Sequence, residues 1–204
     1  AEIAEIARGS EAWVLCDEVY RGTDQTGDGY TASICDLYDR GISTAGMSKA
    51  YSLAGLRVGW VAGPKTLLED IMIHRDYNTI SVGRIDEYFA AVALENRAQI
   101  LDRAHRITRE NLAILSDWVE AEPLISWVKP QAGTTALLKY DLPLPSRDFC
   151  TQLLEEEGVL FTPGSAMDME GWLRIGFANS TADLRDGLAR VSAFLVRHGA
   201  AQSS

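Results

Sequence analysis

Between Gly46 and Gly59 the chain sets one lysine, Lys49, and one arginine, Arg57, in a run of small residues that leads into the apolar segment Trp60-Val-Ala62. That is the layout of a cofactor anchor. Gly46, Ser48 and Ser52 suit a loop whose backbone and hydroxyls come close to a bound group. Lys49 offers an amine nucleophile, and Arg57 a planar fork of donors matched to a phosphate.

Upstream, Trp13-Val-Leu-Cys-Asp-Glu-Val-Tyr20 reads as a buried strand ending in Asp17, with Tyr20 just beyond. Strands are predicted at 12–17, 42–45 and 58–62, with helical segments near 33–40 and 64–76, as in the tail of a mostly parallel α/β sheet. From Asp86 to about Glu120 the apolar positions keep a helical period, interrupted or bent near Asn96. Beyond Pro123, strands near 125–128, 134–139, 158–161 and 172–177 alternate with helices near 146–156 and 181–198, a small α+β layer. The predicted organisation is therefore 1–83 as the end of a large sheet domain, 84–120 as a connecting helical region, and 121–204 as a small C-terminal domain.

With 204 residues, 47% of them hydrophobic, the chain can bury a sizeable core. A net charge of −10 leaves no basic stripe to replace the counterions of a nucleic acid. No apolar run reaches the ~18–20 residues that span a bilayer, so neither nucleic acid nor membrane is an expected partner, and a cytoplasmic address is expected. Cys16, Cys35 and Cys150 are odd in number and set in apolar surroundings, which reads as core packing in a reducing compartment. His74, His105 and His198 show no ligand spacing, so no metal is expected.

The stretch Gly46-Met-Ser-Lys-Ala-Tyr-Ser-Leu-Ala-Gly-Leu-Arg-Val-Gly59 resembles the Schiff-base lysine region of class I/II aminotransferases, the fold-type-I enzymes that use pyridoxal 5′-phosphate (PLP). Two further motifs follow the family in order. Asp17 and Tyr20 match an aspartate that pairs with the pyridine nitrogen and a tyrosine that donates to the phenolic oxygen. Gly171-Trp-Leu-Arg-Ile-Gly-Phe-Ala178, preceded by the turn-like Phe161-Thr-Pro-Gly-Ser165, resembles the strand whose arginine, here Arg174, forks onto the substrate α-carboxylate. The resemblance implies an aspartate aminotransferase-like PLP-dependent transferase fold and an enzyme acting on a free L-amino acid. In it, Lys49 would bind the cofactor and then act as general base at Cα, while Asp17, Tyr20, Ser48 and Arg57 would hold the cofactor. It also implies a homodimer with composite active sites.

This chain departs from the family at Gly46, where many relatives carry a phosphate-binding hydroxyl; its amide is expected to substitute. The family's glycine-rich phosphate cradle, ring-stacking aromatic and asparagine precede the aspartate strand, and the apolar spacing of residues 1–8 suits a helix already under way. We therefore read the chain as the C-terminal part of a longer enzyme. His74-Arg-Asp-Tyr-Asn-Thr-Ile-Ser-Val-Gly83 occupies the place of a loop that runs from a neighbouring subunit toward the phosphate, with Asn78, Thr79 and Ser81 as donors. Its wording, with that of Glu18-Val-Tyr-Arg-Gly-Thr-Asp24, resembles a branch acting on L-arginine: PLP-dependent arginine oxidases or hydroxylases that use dioxygen, and capreomycidine synthase-like cyclases. Asp24, Asp28 and Asp76 are candidates to meet a guanidinium. A second class, the effector-sensing PLP-fold half of a transcription regulator, would require a basic helix-turn-helix module elsewhere in the protein.

Other conspicuous groups read as structure. Trp118, Trp127 and Trp172 sit in amphipathic segments and belong to a core or interface. Glu155-Glu-Glu157 reads as a solvated helix end. Gly22–Gly29 lacks the ligand rhythm of a calcium loop and is expected to flank the active site.

Overall fold

A computed structural model describes residues 1–200, which divide into two compact units, Ala1–His105 and a second from Arg106 onward. No helix among the described residues is long and apolar enough to cross a membrane.

The first unit opens with helix α1 (Glu2–Ser10) and continues through β1 (Val14–Asp17), α2 (Ile34–Leu37), β2 (Gly41–Gly46) and β3 (Gly59–Ala62). The strands form one sheet in the order β1-β2-β3. β1 and β2 run parallel, with Asp17 opposite Thr44, whereas β2 and β3 run antiparallel, with Gly46 opposite Gly59. Strand spacing alone did not reveal the antiparallel pair. No crossover helix separates β2 from β3, so the chain comes back along the strand it has just left.

Two expectations need correction here. The helix expected near 33–40 is a single turn: Ser33 caps it by accepting from the Cys35 amide at 3.3 Å, and Tyr38 is already extended. Tyr38 leaves the helix to enter a small core with Ala4, Ala7 and Ile34, its hydroxyl donating to Ala12 O at 2.7 Å. Nor is β1 buried on both faces. Val14 and Cys16 pack on that core, while Leu15 is 67% exposed, because α1 and α2 cover one side only.

Helices α3 (Lys65–Arg75), α4 (Arg84–Glu95) and α5 (Arg97–Ala121) follow. The break expected near Asn96 is present. Both the amide and the side-chain nitrogen of Asn96 donate to Val92 O, at 3.1 and 2.8 Å, which closes α4 where α5 starts. Ala90 and Ala93 give α4 a small-residue face, which packs with Met47, Ala50 and Tyr51 in a second core. Ile85, Tyr88 and Phe89 on the same helix are exposed.

The second unit contains β4 (Ile125–Trp127), β5 (Thr135–Tyr140), α6 (Ser146–Glu157), β6 (Thr162–Pro163), β7 (Trp172–Gly176) and α7 (Thr181–Ala200). Its strands form an antiparallel sheet in the order β4-β5-β7-β6. Leu115, Leu138, Phe149, Leu173 and Phe194 lead a core against which Trp118 and Trp127 pack. The strand expected at 158–161 is not one. Gly158 ends α6 in the left-handed conformation, φ 68°, and pairing begins at Thr162. Val159 and Phe161 turn inward and Leu160 outward, so an unpaired extended segment carries the burial rhythm of a strand. Glu155-Glu-Glu157 is also more than a solvated end. Arg197 bridges Glu156, at 2.9 Å, and Glu157, and the Arg197 and His198 partners hold the Glu156 carboxyl below its usual range.

Two polar networks tie this unit together, the first of them buried. Asn111, fully buried, donates to Phe177 O at 2.8 Å and Asn179 O at 2.9 Å and accepts from the Thr181 hydroxyl at 2.9 Å. It thus fixes the turn from β7 into α7. At the start of α6, Glu170 accepts from the Ser146 amide and, at 3.0 Å, from its hydroxyl, which in turn accepts from the Ser165 amide at 3.0 Å. The Ser146 amide foremost holds the Glu170 carboxyl below its ordinary value.

Asn111→Ala strands two carbonyls and a hydroxyl in the core and is expected to lower unfolding free energy by about 2–4 kcal/mol in urea titration; a change under about 0.5 kcal/mol would contradict this account. A depressed carboxylate stabilises the fold above its unfolded value of 4.5, and that contribution is lost as pH falls through its lower folded value. Glu170→Gln should therefore melt lower than wild type at pH 7, with the two melting curves converging as the pH drops well below 4.5.

Candidate active site

The site in the first unit starts from two adjacent strand ends. β1 delivers Asp17, whose Oδ1 accepts from the Val19 amide at 3.0 Å, and the Glu18 amide donates to Thr44 O at 2.7 Å, carrying the pairing one step past the strand. β2 delivers Gly46, beyond which residues 47–58 form a closed loop. The Met47 amide donates to Val58 O at 3.0 Å, the Leu53 amide to Met47 O at 2.9 Å, and the Ser52 amide to Lys49 O at 3.1 Å.

Burial sets which side chains face out. Met47, Ala50 and Tyr51 are 0%, 1% and 8% exposed, so the loop is pinned from beneath and Ser48 and Lys49 are left on its outer side. Ser52 and Arg57 adopt left-handed backbone at φ 57° and 53°, a conformation that costs a non-glycine residue roughly 1–3 kcal/mol. In that conformation the Arg57 Nη1 donates to Ala54 O at 2.8 Å. Glycine is required where the strands meet: a Cβ on Gly59 would lie 2.9 Å from Ala45 O, and one on Gly46 3.0 Å from Val58 O. The packing of two backbones therefore accounts for Gly46.

Asp17, Ser48 and Arg57 line one cleft of about 290 Å³, together with Val19, Thr44 and Gly46. The Lys49 ammonium stands 5.8 Å from the centre of the Tyr20 ring. The first unit thus gathers Asp17, Tyr20, Ser48, Lys49 and Arg57 in one region. A carboxylate, a hydroxyl, a guanidinium and an amine there can hold an anion at one end and a protonated ring nitrogen at the other. Arg174 belongs to the second unit. It is exposed on β7, its Nη2 3.3 Å from the Thr162 hydroxyl on the neighbouring strand.

The remaining predicted residues are scattered. Asn78, Thr79 and Ser81 are exposed in the turn after α3, where Ile80 has φ 54°. Asp28 accepts from the Tyr30 amide at 3.1 Å and so serves its own loop, and Asp76 is exposed at the end of α3. Sequence reasoning missed the residues that brace the site. The Glu18 carboxylate accepts from the Ser33 hydroxyl at 2.9 Å and the Ile34 amide at 2.7 Å, fastening the loop after β1 to the start of α2. The Tyr30 and Tyr51 hydroxyls lie 3.1 Å apart, which couples that loop to the lysine loop. Burial, then the bond with Tyr30, pushes the Tyr51 phenol well above its ordinary value. Cys16, beside the site on β1, is likewise raised, by burial first and then by Glu18 and Asp17.

Known proteins share the sequence and the fold of this chain. The chain is 32% identical over 198 residues to capreomycidine synthase of Streptomyces vinaceus, covering 97% of this chain and 51% of that protein. A solved PLP-dependent aminotransferase from Streptococcus suis superposes with a TM-score of 0.91 at 41% identity, over 97% of this chain and 52% of that one. The solved PLP-dependent cyclase OrfR does so with a TM-score of 0.88 at 28% identity, over 96% and 53%. The chain thus spans about half the length of the relatives it matches. The family model for aminotransferase class I and II matches residues 1–191, and the fold of both units is that of the aspartate aminotransferase-like structures: the chain belongs to the class I and II aminotransferase family.

Proposed function

We propose that the protein is a PLP-dependent enzyme acting on a free L-amino acid, with Lys49 as the residue that binds the cofactor and moves the Cα proton. The cleft shared by Asp17, Ser48 and Arg57, with Lys49 beside Tyr20, is the observation that carries this reading. The donor set fits the group. Arg57 and Ser48 match a phosphate, and the Asp17 carboxylate, at the same cleft, matches a protonated pyridine nitrogen. Gly46 and Gly59 keep the cleft wall a plain backbone surface.

Bound PLP supplies an electron sink that makes the Cα proton of an amino acid removable. The chain's own residues supply the rest. Asp17 keeps the ring nitrogen protonated, as an opposite charge within about 4–6 Å favours the charged pair. Tyr20, whose ring lies beside the Lys49 side-chain nitrogen, would donate a hydrogen bond to the ring oxygen. Arg57 and Ser48 neutralise and orient the phosphate. Lys49 Nζ would be the base that takes the Cα proton and returns it. Arg174 offers a two-pronged donor for the α-carboxylate.

The likeness to capreomycidine synthase supports an L-arginine branch, and the likeness to a PLP-dependent aminotransferase supports transamination of L-arginine or another amino acid as the leading reaction. Within that branch, an oxidase or hydroxylase would pass electrons to dioxygen. We further infer a homodimer with composite sites. The exposed Tyr77, Ile80, Ile85, Tyr88 and Phe89 are large apolar groups of the kind a partner subunit covers.

In the protein at its full natural length, borohydride treatment after PLP loading is expected to fix the cofactor to Lys49. Lys49→Ala should abolish that fixation and lower turnover by about 10²–10⁴-fold, the usual contribution of a general base. Arg57→Ala should weaken PLP binding roughly ten- to a hundredfold, the effect of losing a charge-assisted bond of about 1.5–3 kcal/mol. Fixation that persists on another lysine overturns the assignment. Oxygen uptake with L-arginine and no keto acid selects the oxidase reading; turnover only on adding a keto acid selects transamination. PLP binding without turnover of any amino acid favours the regulator reading.

A further inference from the structure

We propose that His105 is a positioning residue for the site: it clamps the Gly22–Gly29 loop and thereby fixes Tyr20 beside Lys49. The function invoked for Tyr20 rests on the reading above; the clamp itself rests on geometry in the first unit alone.

The loop between β1 and α2 bears Tyr20 near its start. The Tyr20 carbonyl accepts from the Thr23 hydroxyl at 2.6 Å and from the Thr23 amide at 3.1 Å, so Tyr20 and Thr23 move as one turn. Thr23 is 3% exposed. The residue before it, Gly22, is held from α5, where His105 Nε2 lies 2.8 Å from Gly22 O. A carbonyl oxygen only accepts, so Nε2 carries the hydrogen and the ring acts as donor. Leu101, four residues earlier on α5, packs under the same point: a Cβ on Gly22 would meet its Cδ2 at 3.3 Å.

The far end of the loop wraps the same ring. A Cβ on Gly29 would lie 2.1 Å from His105 Nε2 and 2.2 Å from Cε1, so glycine at 29 is what lets the main chain lie against the imidazole. Gly29 has φ 81° and Gly22 φ 97°, backbone that other residues rarely adopt. The Asp24 amide donates to Gly29 O at 3.3 Å, closing the loop on itself around the ring. His105 is 8% exposed. The result is a buried side chain with a donor on one loop end and its ring against the other.

The test combines hydrogen exchange of the unloaded protein with spectroscopy and kinetics of the loaded one, at full natural length. In wild type, the Thr23 and Asp24 amides should exchange slowly; fast exchange there means no clamp exists and overturns the proposal without any variant. His105→Ala should raise exchange across Gly22–Gly29, move the pH at which the visible band of the PLP-loaded protein titrates, and lower kcat roughly 10–100-fold with KM little changed, as a misplacement of about 1 Å does. His105→Gln, which keeps a donor at the Nε2 position, should restore most of both. Gly29→Ala, which pushes the ring away while leaving His105 in place, should reproduce the His105→Ala spectral shift. A lowered melting temperature with unchanged spectral titration and kcat makes His105 merely structural and overturns the proposal. If borohydride does not fix PLP to Lys49, the functional reading fails, while the exchange data still decide the clamp.

Discussion

The site depends on the antiparallel closure of β2 against β3, with Gly46 facing Gly59 and the Met47 amide bonded to Val58 O at 3.0 Å. Everything the lysine loop does follows from that closure. Because β2 turns back at once, twelve residues must be folded into a compact cap, and the cap can close only if its apolar members go inward. Met47, Ala50 and Tyr51 do so, against Ala90 and Ala93 of α4, and the alternation that buries them sends Ser48 and Lys49 outward. The parallel pairing of β1 with β2 then sets Asp17 one strand away, at the same end of the sheet, so that one cleft receives groups from both strand ends.

Such a cap carries strain. Ser52 and Arg57 both sit in left-handed backbone, at roughly 1–3 kcal/mol each, and Arg57 is one of the two positively charged groups at the site. The strain persists because the surrounding bonds over-determine the loop: two main-chain hydrogen bonds close its ends, the Tyr51 ring packs edge-on to Trp60 at 6.5 Å between centres, and the Tyr51 hydroxyl meets Tyr30. The cap thus holds Arg57 at the cleft, opposite the Asp17 carboxylate, in a protein whose net charge is −10.

Much of this was legible in the sequence. The elements were placed to within a few residues wherever periodicity was strong, as in the helices around Asn96, where an asparagine that can bond its own backbone marks the break. Asp17, Tyr20, Ser48, Lys49 and Arg57 were proposed because the two stretches that hold them resemble those of a known enzyme family, and the first unit brings them into one region. What failed was information that lies in pairing. The antiparallel turn of β3 and the late start of β6 cannot be seen in a burial rhythm, since Val159, Leu160 and Phe161 alternate without a partner strand.

The bracing residues were illegible for a related reason. Glu18 looks like the neighbour of an important aspartate, yet its carboxylate caps a helix that starts sixteen residues later, and Asn111 looks like an ordinary polar residue on a long amphipathic helix, yet it is fully buried among carbonyls of the β7–α7 turn. Each is a polar side chain satisfied by backbone groups far along the chain, and no local pattern encodes such a partner. The sequence does carry a weaker trace of them. Gly22 and Gly29 bracket a loop that packs against α5: at Gly29 the ring of His105, far downstream, occupies the space a side chain would take, and at Gly22 Leu101 and Tyr30 stand within 3.3 Å of that space. Paired glycines at the ends of a motif-free loop therefore mark a place where something distant packs close, even when the sequence does not say what.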